Sequence, residues 1–304
     1  MKLVILGHEN PDFDSIISGM LLENIYRKMY RYKADFIIPD EVLKDTAKLC
    51  NKYHVDYRRY QKKYELDEDI HSVLVDHSVD LRNIPSVIMA IDHHPTKQEL
   101  PYLVKYCHTA STALLIYNMY KNIYKFSKQE INLVVAASYI DTLSLKSTKT
   151  TPSDIVECKN LIAKYDLNKD EMYLDGLSIT DMSDLKACTL NGLKKYEINN
   201  NIVYSSYVQV TEDELNKIPL ILKEIPRIMR NKRIDYFVFI LTIRHFKPCF
   251  KATLVKALLT FKQLLAKSIL VKVSLLNPIC SFKIPSLTAS IILSTSCVPL
   301  LFIS

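Results

Sequence analysis

The stretch Lys2-Leu3-Val4-Ile5-Leu6-Gly7-His8-Glu9-Asn10-Pro11-Asp12-Phe13-Asp14-Ser15 decides how the first half of this chain is read. Lys2–Leu6 has the length and apolar make-up of a buried strand, and the run stops at Gly7. One histidine and three carboxylates follow at once, on a loop that Pro11 keeps from continuing as helix or strand. From Ser15 to Arg31 apolar residues then recur at helical spacing. A buried strand, a short polar loop and a helix open an α/β sheet, and such sheets bind ligands outside the carboxyl ends of their strands.

Working outward, Ala34–Ile38 and Glu41–Tyr53 repeat the order of strand and helix. After a polar stretch, His71–Val75 and Ser86–Ile91 are short, apolar and rich in β-branched residues, as strands are. Helical patterns follow over Thr112–Lys121, Ser127–Tyr139 and Ser153–Tyr165, and Ser127 with Glu130 has the spacing of a capping box. The expectation is an α/β fold, a parallel sheet with helices on both faces. Asp166–Cys188 reads as a linker. Beyond it, Asn201–Val210 and Asp235–Ile243 read as strands around a helix over Glu212–Arg230, a smaller α/β domain. The expected division is therefore residues 1–180 and 190–304.

Composition excludes several classes. With 304 residues, 48% hydrophobic and 24% charged, the chain has the make-up of a folded two-domain protein, not of a disordered one. The seven cysteines are scattered without a Cys-x-x-Cys pair, which argues against a zinc ribbon or a disulfide framework and fits a cytoplasmic setting. The first residues lack the apolar core of a signal peptide. The net charge of +7 belongs to the tail: after Asp235 there is no acidic residue, and residues 1–235 carry 32 Lys and Arg against 33 Asp and Glu. The tail lysines are not interleaved with an aromatic platform, so no stable nucleic-acid partner is expected.

The chemistry lies at strand ends. The first strand delivers His8, Asp12 and Asp14, the strand ending at Val75 delivers Asp76-His77, and the strand ending at Ile91 delivers Asp92-His93-His94. Carboxylate and imidazole without thiolate suit manganese, magnesium or iron better than structural zinc. Two such ions can clamp a phosphoryl group and generate hydroxide from a shared water, and Asp76 is well placed to bridge them.

The pattern His8-x-Asn10-Pro11-Asp12-x-Asp14-Ser15, Val75-Asp76-His77 and Asp92-His93-His94, joined by Ala136–Thr142 and Lys146–Thr151 with Asp154, resembles the DHH phosphoesterase superfamily. Within it the chain looks most like the family II, manganese-dependent inorganic pyrophosphatases and the exopolyphosphatases with a DHH-associated second domain. The resemblance implies His8, Asp12, Asp14, Asp76, His93 and Asp141 as ligands of two manganese ions, with magnesium or cobalt as substitutes. His8, Asp12 and Asp76 would hold one ion, and Asp14, Asp76, His93 and Asp141 the other. It implies His94 as a substrate-side group and Lys194, in Gly192–Glu197, as a phosphate contact. It implies a small phosphate-containing substrate, no membrane partner, and is compatible with a homodimer. Hydrolysis of pyrophosphate to two phosphates is the leading expectation. Alternatives are exopolyphosphatase, phosphodiesterase acting on short oligonucleotides or cyclic dinucleotides, and a metal-binding homologue of impaired activity.

The family pattern then fades. The Ser-Arg-Lys-Lys segment of pyrophosphatases is missing, with Ser281-Phe282-Lys283 only a faint echo, and the expected Thr-Asp-Ile reads Thr242-Ile243-Arg244. No glycine occurs in the last 112 residues. Residues 247–304 are expected to be a divergent or non-native tail, as after a frameshift. A working cap domain and a tail anchor in the uncharged run 284–304 are the alternatives.

Overall fold

The computed structural model describes residues 2–63, 70–79, 84, 86–96, 98–177, 185–190, 193–198, 201–243, 269–275 and 291–294. The chain divides into two compact units, Met1–Leu177 and Ser178–Ser304.

The first unit is a parallel-sheet α/β domain flanked by helices. Its elements are β1 (Lys2–Leu6), α1 (Phe13–Met29), β2 (Lys33–Ile37), α2 (Lys44–Lys52), β3 (Ile70–Val75), β4 (Val87–Asp92), β5 (Leu103–Tyr106), α3 (Thr112–Tyr120), α4 (Lys128–Asp141), α5 (Pro152–Tyr165) and α6 (Lys169–Gly176). The strands run in the order β2-β1-β3-β4-β5, every pair parallel. With β1 inside the sheet and β3 and β4 beside it, the three loops rich in Asp and His leave from one edge.

Alternation along β1 sends Leu3 and Ile5 into the main core and Val4 and Leu6 into a smaller cluster on the opposite face. The described members of that smaller cluster come from strands and loops. The main core is built around α1, where Phe13, Ile16, Ile17, Leu21, Leu22 and Ile25 are all fully buried. Burying each such side chain contributes about 1.5–3 kcal/mol. Glu23 of the same helix is buried too, because its Oε1 accepts the Phe36 main-chain N–H at 3.1 Å and faces Arg27 at 3.3 Å. Asp12 caps α1 by accepting the Ser15 N–H at 3.1 Å, and α4 opens with the capping box of Ser127 and Glu130.

Several elements depart from the sequence expectation, among them the helix Leu185–Thr189 and the strand Lys194–Ile198 of the second unit. Strand β5 was not foreseen; it is four residues long and mostly exposed, so it has no apolar signature. Part of the expected linker is the helix α6, capped by Asn168 on the Glu171 N–H at 3.1 Å. The helix expected over Glu212–Arg230 is a 3-10 turn, Glu212–Lys217, followed by an α-helix beginning at Ile218. Pro219 sits in the first turn of that helix, where its missing N–H is tolerated.

The second unit contains α7 (Leu185–Thr189), β6 (Lys194–Ile198), β7 (Asn201–Val210), α8 (Ile218–Lys232), β8 (Tyr236–Ile243), β9 (Ile269–Leu275) and β10 (Ile291–Ser294). Its sheet has the order β10-β9-β8-β7-β6, with β6 antiparallel to β7 and the other pairs parallel. Ile221, Leu222 and Ile225 of α8 pack with Val208, Phe237 and Phe239. The tail thus contributes two strands, while Ser281–Lys283 and most of 284–304 lie outside the described residues. Among the described residues no helix is long and apolar enough to cross a membrane.

Packing between α1 and β2 gives a direct test. A Cβ added at Gly19 would lie 2.2 Å from Cε2 of the buried Phe36. Gly19→Ala is expected to destabilise the first unit by about 1–3 kcal/mol. In urea titrations the midpoint should fall with the slope unchanged; an unchanged midpoint would show that this contact relaxes without cost.

Candidate metal centre

The loop after β1 folds back tightly on α1. The His8 N–H donates to Ser15 Oγ at 3.3 Å, and a Cβ at Gly7 would sit 2.2 Å from the same oxygen. His8 Nδ1 lies 2.9 Å from the Glu9 carbonyl and donates to it, which turns Nε2 toward Asp12 Oδ2 and Asp76 Oδ2, both at 3.4 Å.

Asp76 stands at the end of β3 with φ of 63°, a left-handed conformation that costs an ordinary residue about 1–2 kcal/mol. Two bonds hold it there: its N–H donates to the Ile91 carbonyl at 2.9 Å, and Oδ1 accepts the Thr112 hydroxyl at 3.0 Å. The carboxylate is buried, and its two oxygens face different histidines. Oδ2 faces His8, and Oδ1 lies 3.5 Å from His93 Nε2.

His93 is fixed in the same way as His8. Its Nδ1 donates to the Thr109 carbonyl at 2.9 Å, and Nε2 aims at Asp14 Oδ2 at 4.0 Å and Asp141 Oδ2 at 3.5 Å as well as at Asp76. Asp14 is buried in the first turn of α1 and accepts the N–H groups of Thr112 at 2.7 Å and Ala113 at 3.0 Å. It therefore caps α3 from outside, where the helix N-terminus favours negative charge. Asp141 is the last residue of α4. The six residues expected as ligands thus meet in one place, drawn from three strand ends and one helix end.

The donor set fits divalent cations. In the neutral ring, with Nδ1 donating, His93 Nε2 carries a lone pair, and this buried atom makes no hydrogen bond among the described residues while facing three carboxylates. A lone pair turned toward anionic oxygens is unfavourable unless a cation stands between them. One ligand atom each from His8, Asp12 and Asp76 come within 4.8 Å of one another, as do atoms of Asp76, His93 and His94.

His94 plays a different part from His93. Its Nδ1 lies 2.9 Å from Asp92 Oδ1, which also accepts the His94 N–H at 2.9 Å, so Nδ1 is engaged as a donor. Asp92 Oδ2 takes the Ser78 hydroxyl at 2.7 Å. Asp92 therefore orients His94 and leaves Nε2 toward Lys149 at 3.4 Å. His77 Nδ1 lies 3.0 Å from the Val75 carbonyl. Lys194 opens β6 in the second unit, and its side chain lies outside the described residues.

Sequence reasoning gave no part in the site to Thr109 or Thr112, and quoted Lys149 only within the Lys146–Thr151 segment, without a role. Ser111 caps α3 by accepting the Leu114 N–H at 3.1 Å, so the polar residues before that apolar helix were a cue to the Thr112 position. Thr109 acts through its main-chain carbonyl, which no residue type announces. Its hydroxyl donates to Asp154 Oδ1 at 2.6 Å and ties it to the start of α5.

Burial, then the charges of Asp76, Asp141 and Asp12, push the Asp14 carboxyl well above the ordinary carboxylate range, against the bond from Ala113. The sign follows directly. Stability from a group of raised pKa is present below its unfolded value and is lost as pH rises through its folded value. The metal-free protein should lose stability from this group as pH rises from the ordinary carboxylate range through its raised value, and manganese should restore it. The rise in Tm on adding manganese to chelator-treated protein is expected to be larger at pH 8 than at pH 5; an equal rise would show that the acidic cluster does not govern stability.

A probable manganese-dependent inorganic pyrophosphatase of Bacillus licheniformis is 27% identical over 79% of this chain and 82% of its own length. The manganese-dependent inorganic pyrophosphatase of Bacillus subtilis (strain 168) is also 27% identical, with the same coverage. The crystal structure of a Methanococcus jannaschii protein, provisionally assigned to the family II inorganic pyrophosphatases, superposes with a TM-score of 0.61 at 23% identity, covering 79% of this chain and 82% of that one; this is a likeness of fold. The DHH family, N-terminal domain, matches residues 2–142, a stretch that includes every ligand candidate.

Proposed function

We propose that this chain is a manganese-dependent phosphohydrolase that cleaves a phosphoanhydride bond, with inorganic pyrophosphate as its substrate. The observation that carries the proposal is the Asp76 carboxylate, one oxygen 3.4 Å from His8 Nε2 and the other 3.5 Å from His93 Nε2. A carboxylate shared between two histidine groups is the bridge a two-ion site requires. His8, Asp12 and Asp76 would hold one ion, and Asp14, Asp76, His93 and Asp141 the other. When bound, such ions draw charge from phosphoryl oxygens and lower the pKa of a bound water.

The protein's own residues do the rest. The Glu9 and Thr109 carbonyls fix His8 and His93 with Nε2 inward, which sets ligand tautomer without a search at the time of binding. Asp92 holds His94 so that Nε2 is the ring atom offered to a substrate oxygen. Thr112, through its hydroxyl on Asp76 and its N–H on Asp14, keeps two of the carboxylates apart and aimed. The named activity of the relatives supports this reading, and their 82% coverage means that most of each relative is matched. Lys194 is proposed as a contact to the substrate phosphates from the second unit.

Purified protein with manganese should release phosphate from pyrophosphate faster than from long-chain polyphosphate, and should leave a dinucleotide uncleaved. Cleavage of the dinucleotide to mononucleotides, with no phosphate released from the other two, would move the chain to the phosphodiesterases. Asp76→Ala should lower kcat on pyrophosphate by about 10³-fold or more and weaken manganese binding. Full activity in that variant would rule out a bridging carboxylate.

A further inference from the structure

One cation stands in the site without an assigned part. Lys149 Nζ lies 2.9 Å from Asp141 Oδ2 and 3.4 Å from His94 Nε2. Asp141 is an expected ligand, and His94 is the group offered to substrate. The Lys149 side chain is 38% exposed where that of His93 is 1%, so the ammonium lies at the solvent side of the cluster.

The chain reaches this position by an uncommon route. After α4 ends at Asp141, Leu143, Ser144 and Leu145 follow with φ of 53°, 60° and 62°. Three successive left-handed residues, none of them glycine, cost about 1–2 kcal/mol each and persist only where the surroundings fix them. Here the Ser144 N–H donates to the Tyr139 carbonyl at 2.7 Å, its hydroxyl donates to the Tyr173 carbonyl of α6 at 2.6 Å, and the Leu145 N–H donates to Thr142 Oγ1 at 3.1 Å. A Cβ on Gly176 would lie 2.4 Å from the Tyr139 carbonyl oxygen and 2.5 Å from Ser144 Oγ, so α6 closes on this loop only because residue 176 has no side chain. The loop then turns at Ser147, whose Oγ accepts the Lys149 N–H at 3.2 Å, and returns Lys149 to the residue that ended the helix.

We propose that Lys149 is a phosphate-binding residue of this site, a substrate-positioning cation supplied by the first unit. The inference rests on the phosphoanhydride reading above. It follows from chemistry: the substrate brings several negative charges to a pocket already lined by carboxylates, and a partly exposed ammonium beside His94 Nε2 offsets them where the phosphate must lie. Lysine suits the place because it carries three rotatable donors on a flexible stem and can reach an oxygen without leaving the loop.

The test uses the full-length chain loaded with manganese, with Lys149→Ala and Lys149→Arg beside the wild type. Calorimetric titration with inorganic phosphate and separately with manganese is paired with steady-state kinetics on pyrophosphate. Lys149→Ala should weaken phosphate binding and raise KM by about tenfold, the loss of one charge-assisted hydrogen bond. Lys149→Arg should recover part of both, and manganese affinity should hold or increase. A fall in manganese affinity with phosphate affinity unchanged would show that Lys149 only braces Asp141, and would overturn the proposal. If the wild type does not turn over pyrophosphate, the substrate reading fails by itself and the phosphate titration still decides this one. Weaker phosphate binding in Lys149→Ala would support it, and equal binding would end it.

Discussion

Four carboxylates crowded at one sheet edge repel one another, and much of the first unit can be understood as the means of keeping them there. Each is met by a different kind of partner. Asp12 takes a main-chain N–H in the first turn of its own helix, and Asp14 takes two from the start of α3. Asp76 takes a threonine hydroxyl, and Asp141 takes a lysine. These partners lessen the repulsion without removing it: burial first, and then the charges of Asp76, Asp141 and Asp12, raise the Asp14 carboxyl. The residual negative charge is the affinity for cations.

The sheet makes the crowding attainable. Side chains at the ends of adjacent parallel strands are brought together by main-chain hydrogen bonds alone, and the apolar face of α1 anchors the first of those strands. The left-handed turn at Asp76 is part of the same device. An extended residue would carry the carboxylate on along the strand, whereas this turn sets it across the two histidines.

This division of labour explains what could be read from the sequence. The strands ending at Leu6 and Val75 were legible because burial on both faces writes a continuous apolar run, and the one near Ile91 because it is apolar throughout and buried at its end; Asp and His immediately after such a run are conspicuous. Strand β5, Leu-Val-Lys-Tyr, pairs along one side only and is mostly exposed, so nothing in its composition distinguishes it from a loop. Helix α6 buries only Met172 and Gly176 and shows no apolar stripe; its signal was the Asn168 cap, a weaker cue than periodicity. Lys149 lay inside the quoted Lys146–Thr151 segment, yet its role was not legible, for another reason. Lysines are common in this chain, and what singles this one out is a loop conformation made by residues that ordinarily avoid it. In the tail, composition indicated an abrupt change, and the structure nonetheless draws two parallel strands from it.

The bonds between Asp14 and the start of α3 join residues 98 and 99 positions apart. Contacts of such sequence separation form late, since the entropy of closing a long loop must be met before they contribute. During synthesis His8 and Asp12 emerge early, yet the cluster needs Thr112 and then Asp141 before it exists. An ion met by the nascent chain finds single, exchangeable ligands rather than a site. Any ion held by the proposed ligands would therefore be loaded by the folded domain rather than by the emerging chain.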